Sequence, residues 1–195
     1  MSTIEPYLGI LASLLLVVSQ VTYIIQVAIK KVTPSLFSWL GFALLIGASG
    51  ISQVLESGWE WSVAGVLFSA FGCFLVCIVA LIQRNFSLVK IDWLYLSLGV
   101  ACIAIYLISS DALLTTIFGV VADLVLAIPM ILKTIKNRSS ENYLPWVFSG
   151  LSWVITIFLC VGKPIVFWLF PIYLILFSGL MLILTLSKKR INTSL

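Results

Sequence analysis

The sequence predicts an all-α integral membrane protein with seven transmembrane helices, arranged as two parallel three-helix repeats joined by a linker helix (3+1+3). The amino-acid composition indicates an integral membrane protein. The 195 residues are 62% hydrophobic and only 9% charged, with a mean hydropathy of +1.23. A soluble core of this size cannot bury so much apolar surface. The apolar runs are continuous and about 20 residues long, which is typical of membrane helices and not of β-barrel strands.

The predicted spans are separated by short loops, so no soluble domain is expected. Each span combines a continuous apolar run with polar or turn-forming residues at its ends. The seven spans are Tyr7–Ile29, Leu36–Leu55, Trp61–Gln83, Trp93–Ile108, Ala112–Ile135, Leu144–Val161 and Ile165–Leu186.

Loop charges predict the orientation of these spans. Ten basic residues fall on one side of the predicted membrane, here called the basic side, and one basic residue, Lys163, falls on the other. Because cytoplasmic loops are enriched in Lys and Arg, the N-terminus is expected outside and the C-terminus in the cytoplasm. The short loops favour a bacterial plasma membrane. The basic side carries Lys30, Lys31, Arg84, Lys90, Lys133, Lys136, Arg138, Lys188, Lys189 and Arg190.

Two segments of the chain resemble each other, Val21–Trp39 and Val121–Trp146. When they are aligned, Ser19 corresponds to Asp123, and both segments continue through a basic loop to a serine-containing turn and a tryptophan. An odd number of spans separates the two units, so both would point the same way through the membrane. Chance similarity between apolar helices is the alternative interpretation.

The repeat predicts the organisation of the chain. Residues 1–92 form the first three-helix unit, residues 93–110 form the linker helix, and residues 111–195 form the second unit.

This layout resembles the PQ-loop superfamily, which includes the SWEET sugar transporters, lysosomal amino acid exporters and, more distantly, the KDEL receptors. The name refers to a Pro-Gln pair near the cytoplasmic end of the first helix of each unit. Each unit of this chain keeps half of the pair, as Ile25-Gln26 and as Pro129-Met130. The resemblance implies a transporter fold. Spans three and seven lack the asparagines with which sugar-carrying members bind hydroxyls.

Asp123 is the most unusual residue chemically, because it lies near the middle of span five. An acid at this depth costs about 2.5–3.5 kcal/mol to insert, so it is expected to face the bundle interior. It could bind and release a proton or balance a substrate ammonium. A structural acid, permanently protonated and hydrogen-bonded to a neighbouring helix, is the alternative. Proton-coupled exporters of the superfamily use acids in these helices.

Pro129 removes the helical hydrogen bond of the Val125 carbonyl. The resulting kink could serve as a hinge, as the matching proline does in SWEET-type members, or could simply be tolerated by neighbouring helices.

Polar residues at helical spacing mark one face of span one and one face of span six. Ser19, Tyr23 and Gln26 stand at positions i, i+4 and i+7, and Ser149 and Trp153 are four residues apart. Gln26, Tyr23 and Trp153 are interpreted as lining a central cavity. For Ser19 and Ser149, which are also candidate site residues, ordinary helix packing is the favoured alternative.

Other residue types limit the possible chemistry. Histidine is absent, and the four cysteines (73, 77, 102 and 160) form no CxxC pair, so no metal site or cofactor is expected. Paired carboxylates are also missing from the spans, so an enzyme is not expected. The basic residues lie at helix ends, which gives no reason to expect a nucleic-acid partner.

The expected function is therefore a transporter of a small polar metabolite, such as an amino acid or a sugar-like molecule, by alternating access and coupled to protons through Asp123. The alternatives are an uncoupled SWEET-like facilitator, and a ligand-binding receptor or sensor on the same fold. The expected partners are a small-molecule substrate, protons and the lipid bilayer. The sequence is also compatible with a homo-oligomer.

Overall fold

The computed structural model describes residues 3–86, 90, 92–136 and 141–187, except the side chains of residues 92, 95, 129 and 133. Within these residues the chain is helical and contains no β-strand. The seven described helices begin and end within two residues of the predicted spans. They are α1 (Glu5–Ala28), α2 (Leu36–Ser57), α3 (Trp61–Ile82), α4 (Asp92–Ser109), α5 (Ala112–Lys136), α6 (Leu144–Leu159) and α7 (Val166–Leu186).

Five of these helices are long and apolar enough to cross a membrane, namely α1, α2, α3, α5 and α7. Apolar helices also occupy Leu96–Ser109 and Leu144–Leu159, but these two are shorter. The set of apolar helices is compatible with a multi-pass membrane protein.

Local signals explain several helix boundaries. Ser35 caps α2, because its side chain accepts a hydrogen bond of 3.3 Å from the Ser38 amide. Pro145 stands in the first turn of α6, where a missing N–H has no cost. Helices α2 and α6 are both followed by a glycine with positive φ, Gly58 at 81° and Gly162 at 78°, a conformation that favours glycine.

The bundle has an apolar outer surface and a partly polar interior. On α1 the exposed side chains include Leu14, Val17 and Val21, whereas Ser19 and Tyr23 are buried on the opposite face. Seventeen polar or charged residues are buried among the described ones. A soluble protein shows the reverse pattern, so this distribution fits lipid around the bundle and polar contacts between helices.

Helix packing follows the same scheme in each half of the chain. Helix α3 packs against both α1 and α2, and α7 packs against both α5 and α6. Between the halves, α1 packs on α6 and α2 packs on α5, while α4 lies against α2 and α5. Two serines tie α1 to α6: Ser19 Oγ donates to the Pro145 carbonyl at 2.8 Å, and Ser152 Oγ donates to the Ala12 carbonyl at 2.7 Å.

The end of the bundle opposite the basic loops, called here the acid-side end, is tightly connected. Gln53 Nε2 on α2 donates to Thr116 Oγ1 on α5 at 3.2 Å. Glu56 accepts a hydrogen bond of 2.7 Å from the Ala112 amide, at the N-terminus of α5. A small apolar cluster lies beneath these contacts, formed by Val63, Ala112, Cys160, Val166 and Phe167.

At the basic side, Asn85 joins three parts of the chain. Its Nδ2 donates to the carbonyls of Val27 and Val32, each at 2.9 Å, and its Oδ1 accepts from Thr33 Oγ1 at 3.1 Å. One side chain therefore satisfies a carbonyl at the end of α1 and holds the α1–α2 loop against the end of α3.

We predict that Asn85→Ala lowers the free energy of unfolding by about 1–3 kcal/mol, because two backbone carbonyls lose their donor. Thermal unfolding of the detergent-purified protein measures the effect. Asn142→Ala is the control, since Asn142 accepts a single exposed hydrogen bond, from the Leu144 amide at 3.0 Å. Equal melting temperatures for the two variants would contradict the prediction.

Candidate functional site

A cavity lies at the centre of the bundle and is lined by six of the seven described helices, all except α4. It holds about 630 Å³ of empty space, counting the part that is open to solvent. The lining begins near mid-helix and continues toward the helix ends that carry the basic loops. The lining residues are Ser19, Gln20, Tyr23, Trp39, Phe42, Ile46, Ser69, Cys73, Asp123, Met130, Pro145, Trp146, Ser149, Trp153, Leu174, Phe177 and Ser178.

Asp123 is the only charged residue among the described residues that line the cavity. It is 3% exposed, and its Oδ1 atom has no hydrogen-bond partner among the described residues. The hydroxyl of Tyr173 on α7 lies close enough to act on this carboxyl as a hydrogen-bond donor, although the pair does not reach normal hydrogen-bond geometry. Cys73 on α3 also lies within electrostatic range of Asp123. The carboxyl is thus enclosed by protein without a fixed structural partner for Oδ1.

Three of the four serine hydroxyls of the cavity wall, those of Ser19, Ser149 and Ser178, are engaged with other protein groups. Trp153 Nε1 donates to Ser149 Oγ at 3.1 Å, and Ser149 Oγ in turn lies 3.1 Å from Ser178 Oγ. Ser19 Oγ donates to the Pro145 carbonyl. These bonds connect α1 to α6 and α6 to α7, and they fix the ring of Trp153, which is 1% exposed.

Aromatic rings form much of the remaining wall. Tyr23 and Trp39 have ring centroids 4.6 Å apart, and Trp39 meets the edge of Phe42 at 6.1 Å. On the other half of the molecule, Trp146 and Phe177 are in edge-to-face contact at 5.4 Å. Such tilted and edge-to-face pairs are the favourable arrangements for aromatic side chains.

Toward the acid-side end the cavity stops at a close approach of three helices. A Cβ atom on Gly65 of α3 would lie 3.4 Å from Leu16 of α1 and 3.4 Å from Thr156 Oγ1 of α6. Trp153 would be 3.6 Å away. Because both Leu16 and Thr156 are buried, this packed layer separates the cavity from the acid-side end.

The structure brings together most of the residues that the sequence suggested for the site. Asp123, Tyr23, Trp153, Ser19 and Ser149 all line the cavity.

Gln26 and Pro129 stand apart from this group. Gln26 is buried but does not line the cavity; its Nε2 atom donates to the Thr22 carbonyl of its own helix at 3.3 Å. This residue lies in the last turn of α1, whereas the lining of that helix ends at Tyr23. The side chain of Pro129 lies outside what the structure describes, so the hinge stays a prediction.

Several wall residues were not identified from the sequence. Trp146 stands at the start of a span, a position that also suits an interfacial tryptophan, but it lines the cavity and its buried Nε1 has no hydrogen-bond partner among the described residues. Its counterpart in the aligned segment, Trp39, is also a wall residue, so the alignment itself was a usable signal. Glu141, in the loop before α6, does not line the cavity but is 7% exposed and acts electrostatically on Tyr23.

No group of three or more His, Cys, Asp or Glu side chains that could hold a metal ion occurs in the described part of the chain. The four cysteines are buried and unpaired.

We predict that Asp123→Leu raises the melting temperature of the purified protein. A buried polar atom without a partner costs about 1–3 kcal/mol, and leucine removes this cost beside a cavity that has room for it. Ser152→Ala is the control and should lower the melting temperature, because it loses the hydrogen bond to the Ala12 carbonyl. A lower melting temperature for Asp123→Leu would identify the acid as a structural residue.

Comparison of the chain with protein-family models, with curated proteins and with solved structures found no match.

Proposed function

We propose that this chain is a membrane transporter that moves a small metabolite by alternating access between two three-helix units. The observation that carries the proposal is the central cavity, which is lined by α1, α2 and α3 as well as α5, α6 and α7 and contains one buried carboxyl. Binding sites of transporters built from repeats lie at the interface between the repeats, near the middle of the membrane.

The packing of the helices supports two equivalent units, α1–α3 and α5–α7, with α4 as the linker. Exchanging α1 with α5, α2 with α6 and α3 with α7 reproduces the main contacts: α1·α3 becomes α5·α7, α2·α3 becomes α6·α7, and α1·α6 becomes α5·α2. Residues 1–92 and 111–195 would then be parallel repeats, with residues 93–110 between them. This arrangement is the one expected from the resemblance to the PQ-loop superfamily.

The difference between the two ends of the bundle supports one-sided access. The cavity extends toward the basic loops, whereas a packed layer at Gly65 and the contacts of Gln53 and Glu56 close the acid-side end. In the proposed cycle this is one of two states, and the other would open the acid-side end. With the basic side in the cytoplasm, the N-terminus would lie outside a bacterial plasma membrane.

Asp123 is the proposed proton-coupling group. Among the described side chains, its titratable neighbours are Tyr173 on α7 and Cys73 on α3, and the described residues that line the cavity include no lysine or arginine to hold the acid ionised. Desolvation without a cationic partner favours the neutral form of an acid. An uncoupled facilitator, in which Asp123 binds only the substrate, and a ligand sensor on the same fold are the alternatives.

We predict that a pH gradient drives solute uptake into proteoliposomes that contain the native chain, and that Asp123→Asn abolishes the effect of the gradient. Asp111→Asn is the matched control. It removes one carboxylate at an exposed position, where Asp111 Oδ1 accepts from the Leu114 amide and asparagine also caps helices well. Radiolabelled amino acids, sugars and vitamins serve as the test solutes.

Uptake that does not respond to the gradient and survives Asp123→Asn would overturn proton coupling and favour the facilitator. Specific ligand binding without movement of any solute across the membrane would favour the sensor.

A second prediction concerns the closed acid-side end, where the Lys163 ammonium binds Glu60 across the α6–α7 and α2–α3 loops. Both side chains are about one-fifth exposed, and such ion pairs contribute up to about 1 kcal/mol. Glu60→Gln should therefore open this end more often. The reporter is a cysteine introduced by Ser62→Cys, at a position that is buried in the closed end. Its rate of labelling should rise by up to about fivefold. A membrane-impermeant maleimide measures the rate.

The charge-swapped pair Glu60→Lys with Lys163→Glu should restore slow labelling, and Asp111→Asn should leave the rate unchanged. The chain without the Ser62→Cys substitution gives the background of the native cysteines. If the swap labels as fast as Glu60→Gln, the ion pair does not hold this end closed.

A further inference from the structure

We infer that the cavity is a site for a small organic cation whose nitrogen carries alkyl groups, such as a quaternary ammonium compound. The inference rests on the proposed function in taking the cavity as the substrate site, and it adds the chemical class of the substrate. Three features of the wall carry it: the aromatic rings, the single carboxyl, and the engagement of three of the four serine hydroxyls.

Six aromatic side chains line the cavity, and they come from α1, α2, α6 and α7. The faces of such rings attract cations, and cages of several rings are the recurring site for quaternary ammonium groups. Two ring groups, Tyr23–Trp39–Phe42 and Trp146–Phe177, belong to different halves of the molecule. The hydrogen bond to Ser149 holds the ring of the sixth aromatic residue, Trp153, in a fixed orientation.

The described part of the wall carries charge of one sign. Asp123 is the only acidic side chain among the described lining residues, and none of these is lysine or arginine. The unpartnered Oδ1 atom of Asp123 is almost completely buried, so a cation bound nearby would supply the compensation that the protein does not. An anionic substrate would meet only repulsion at this point.

The hydrogen bonds that the wall already makes within the protein disfavour solutes that need many hydrogen-bond partners. A sugar presents many hydroxyls, and a primary ammonium presents three N–H donors, each of which needs an acceptor. The Ser19 hydroxyl already binds the Pro145 carbonyl, and Ser149 binds both Trp153 and Ser178. An alkylated ammonium has few or no N–H groups and loses little when it leaves water, so aromatic faces and one carboxylate suit it best.

Choline is a suitable probe, because 3,3-dimethylbutan-1-ol is its uncharged carbon analogue and ethanolamine is its primary ammonium analogue. Calorimetric titration of the full chain in lipid nanodiscs measures all three affinities. We expect choline to bind at least about tenfold more tightly than its uncharged analogue, since cation–π contacts in a desolvated site are individually worth up to about thirtyfold in affinity. We also expect it to bind more tightly than ethanolamine, whose three N–H donors lose their water partners in the cavity.

Variants separate the contributions of the wall. Asp123→Asn should reduce choline affinity at least about tenfold, since it removes the counter-charge. Trp153→Leu should reduce it about two- to thirtyfold. Trp146→Leu, at a half-buried position, gives the same test if Trp153→Leu does not fold. Trp59→Leu is the matched control, because Trp59 is exposed and lies outside the cavity.

Equal binding of choline and its uncharged analogue would overturn the inference, because the aromatic wall would then be a plain apolar pocket. Tighter binding of ethanolamine would overturn it in favour of a hydrogen-bonded ammonium site. If none of the three binds while proteoliposomes take up another solute, the substrate class is wrong and the transport function stands. If choline binds as expected but never crosses the membrane, the cation site stands and the transport function fails.

Discussion

In a bundle with an apolar outer surface, polar side chains have to find their partners between the helices. This constraint governs most of the structure. Ser152 binds the Ala12 carbonyl, and Gln53 binds Thr116 and lies 3.5 Å from the Val166 carbonyl. Each of these contacts joins helices that the lipid environment would not press together by itself, because lipid tails are as apolar as the side chains they surround. Against this background the Asp123 carboxyl is an exception, together with the Tyr173 hydroxyl and Trp146 Nε1, because the described residues offer these atoms no hydrogen-bond partner of normal geometry.

The exception lies at the junction of the two halves of the chain. The halves pack together extensively through α1 on α6 and α2 on α5, whereas the polar contacts between the halves at the acid-side end come from a few side chains. A rearrangement that opens this end therefore breaks few polar contacts. The aromatic wall contains rings from both halves, so any such movement would change the distance between its two ring groups.

The helices could be predicted closely because long apolar runs leave little choice of boundary. α5 was expected at Ala112–Ile135 and is found at Ala112–Lys136. The inward position of Asp123 could also be predicted from the sequence, since an isolated acid in an apolar helix has to face the interior of the bundle. A pattern of polar residues cannot show where a cavity ends. Gln26 lies on the same polar face of α1 as Tyr23, yet its side chain binds a carbonyl of its own helix.

The aromatic wall was harder to predict for a related reason. A tryptophan near the end of a span suits the membrane interface and suits the interior of the bundle equally well. Trp59 is exposed, whereas Trp146 lines the cavity, and only the neighbours of each ring decide between these positions. The same holds for Glu141, whose burial depends on the tertiary packing around the start of α6.

The described part of the cavity wall holds an acid and no basic side chain, which has a consequence for the proposed transport cycle. An ionised Asp123 with nothing bound leaves a net negative charge in a medium of low dielectric constant, at a cost of about 2.5–3.5 kcal/mol on insertion scales. The proposed transporter would therefore change conformation slowly with an empty, ionised carboxyl and faster with a proton or a cation on it. One carboxyl cannot hold both at once. In the proposed cycle this arrangement would favour obligatory exchange, in which each occupant leaves only when the other arrives, over the free return of an empty carrier.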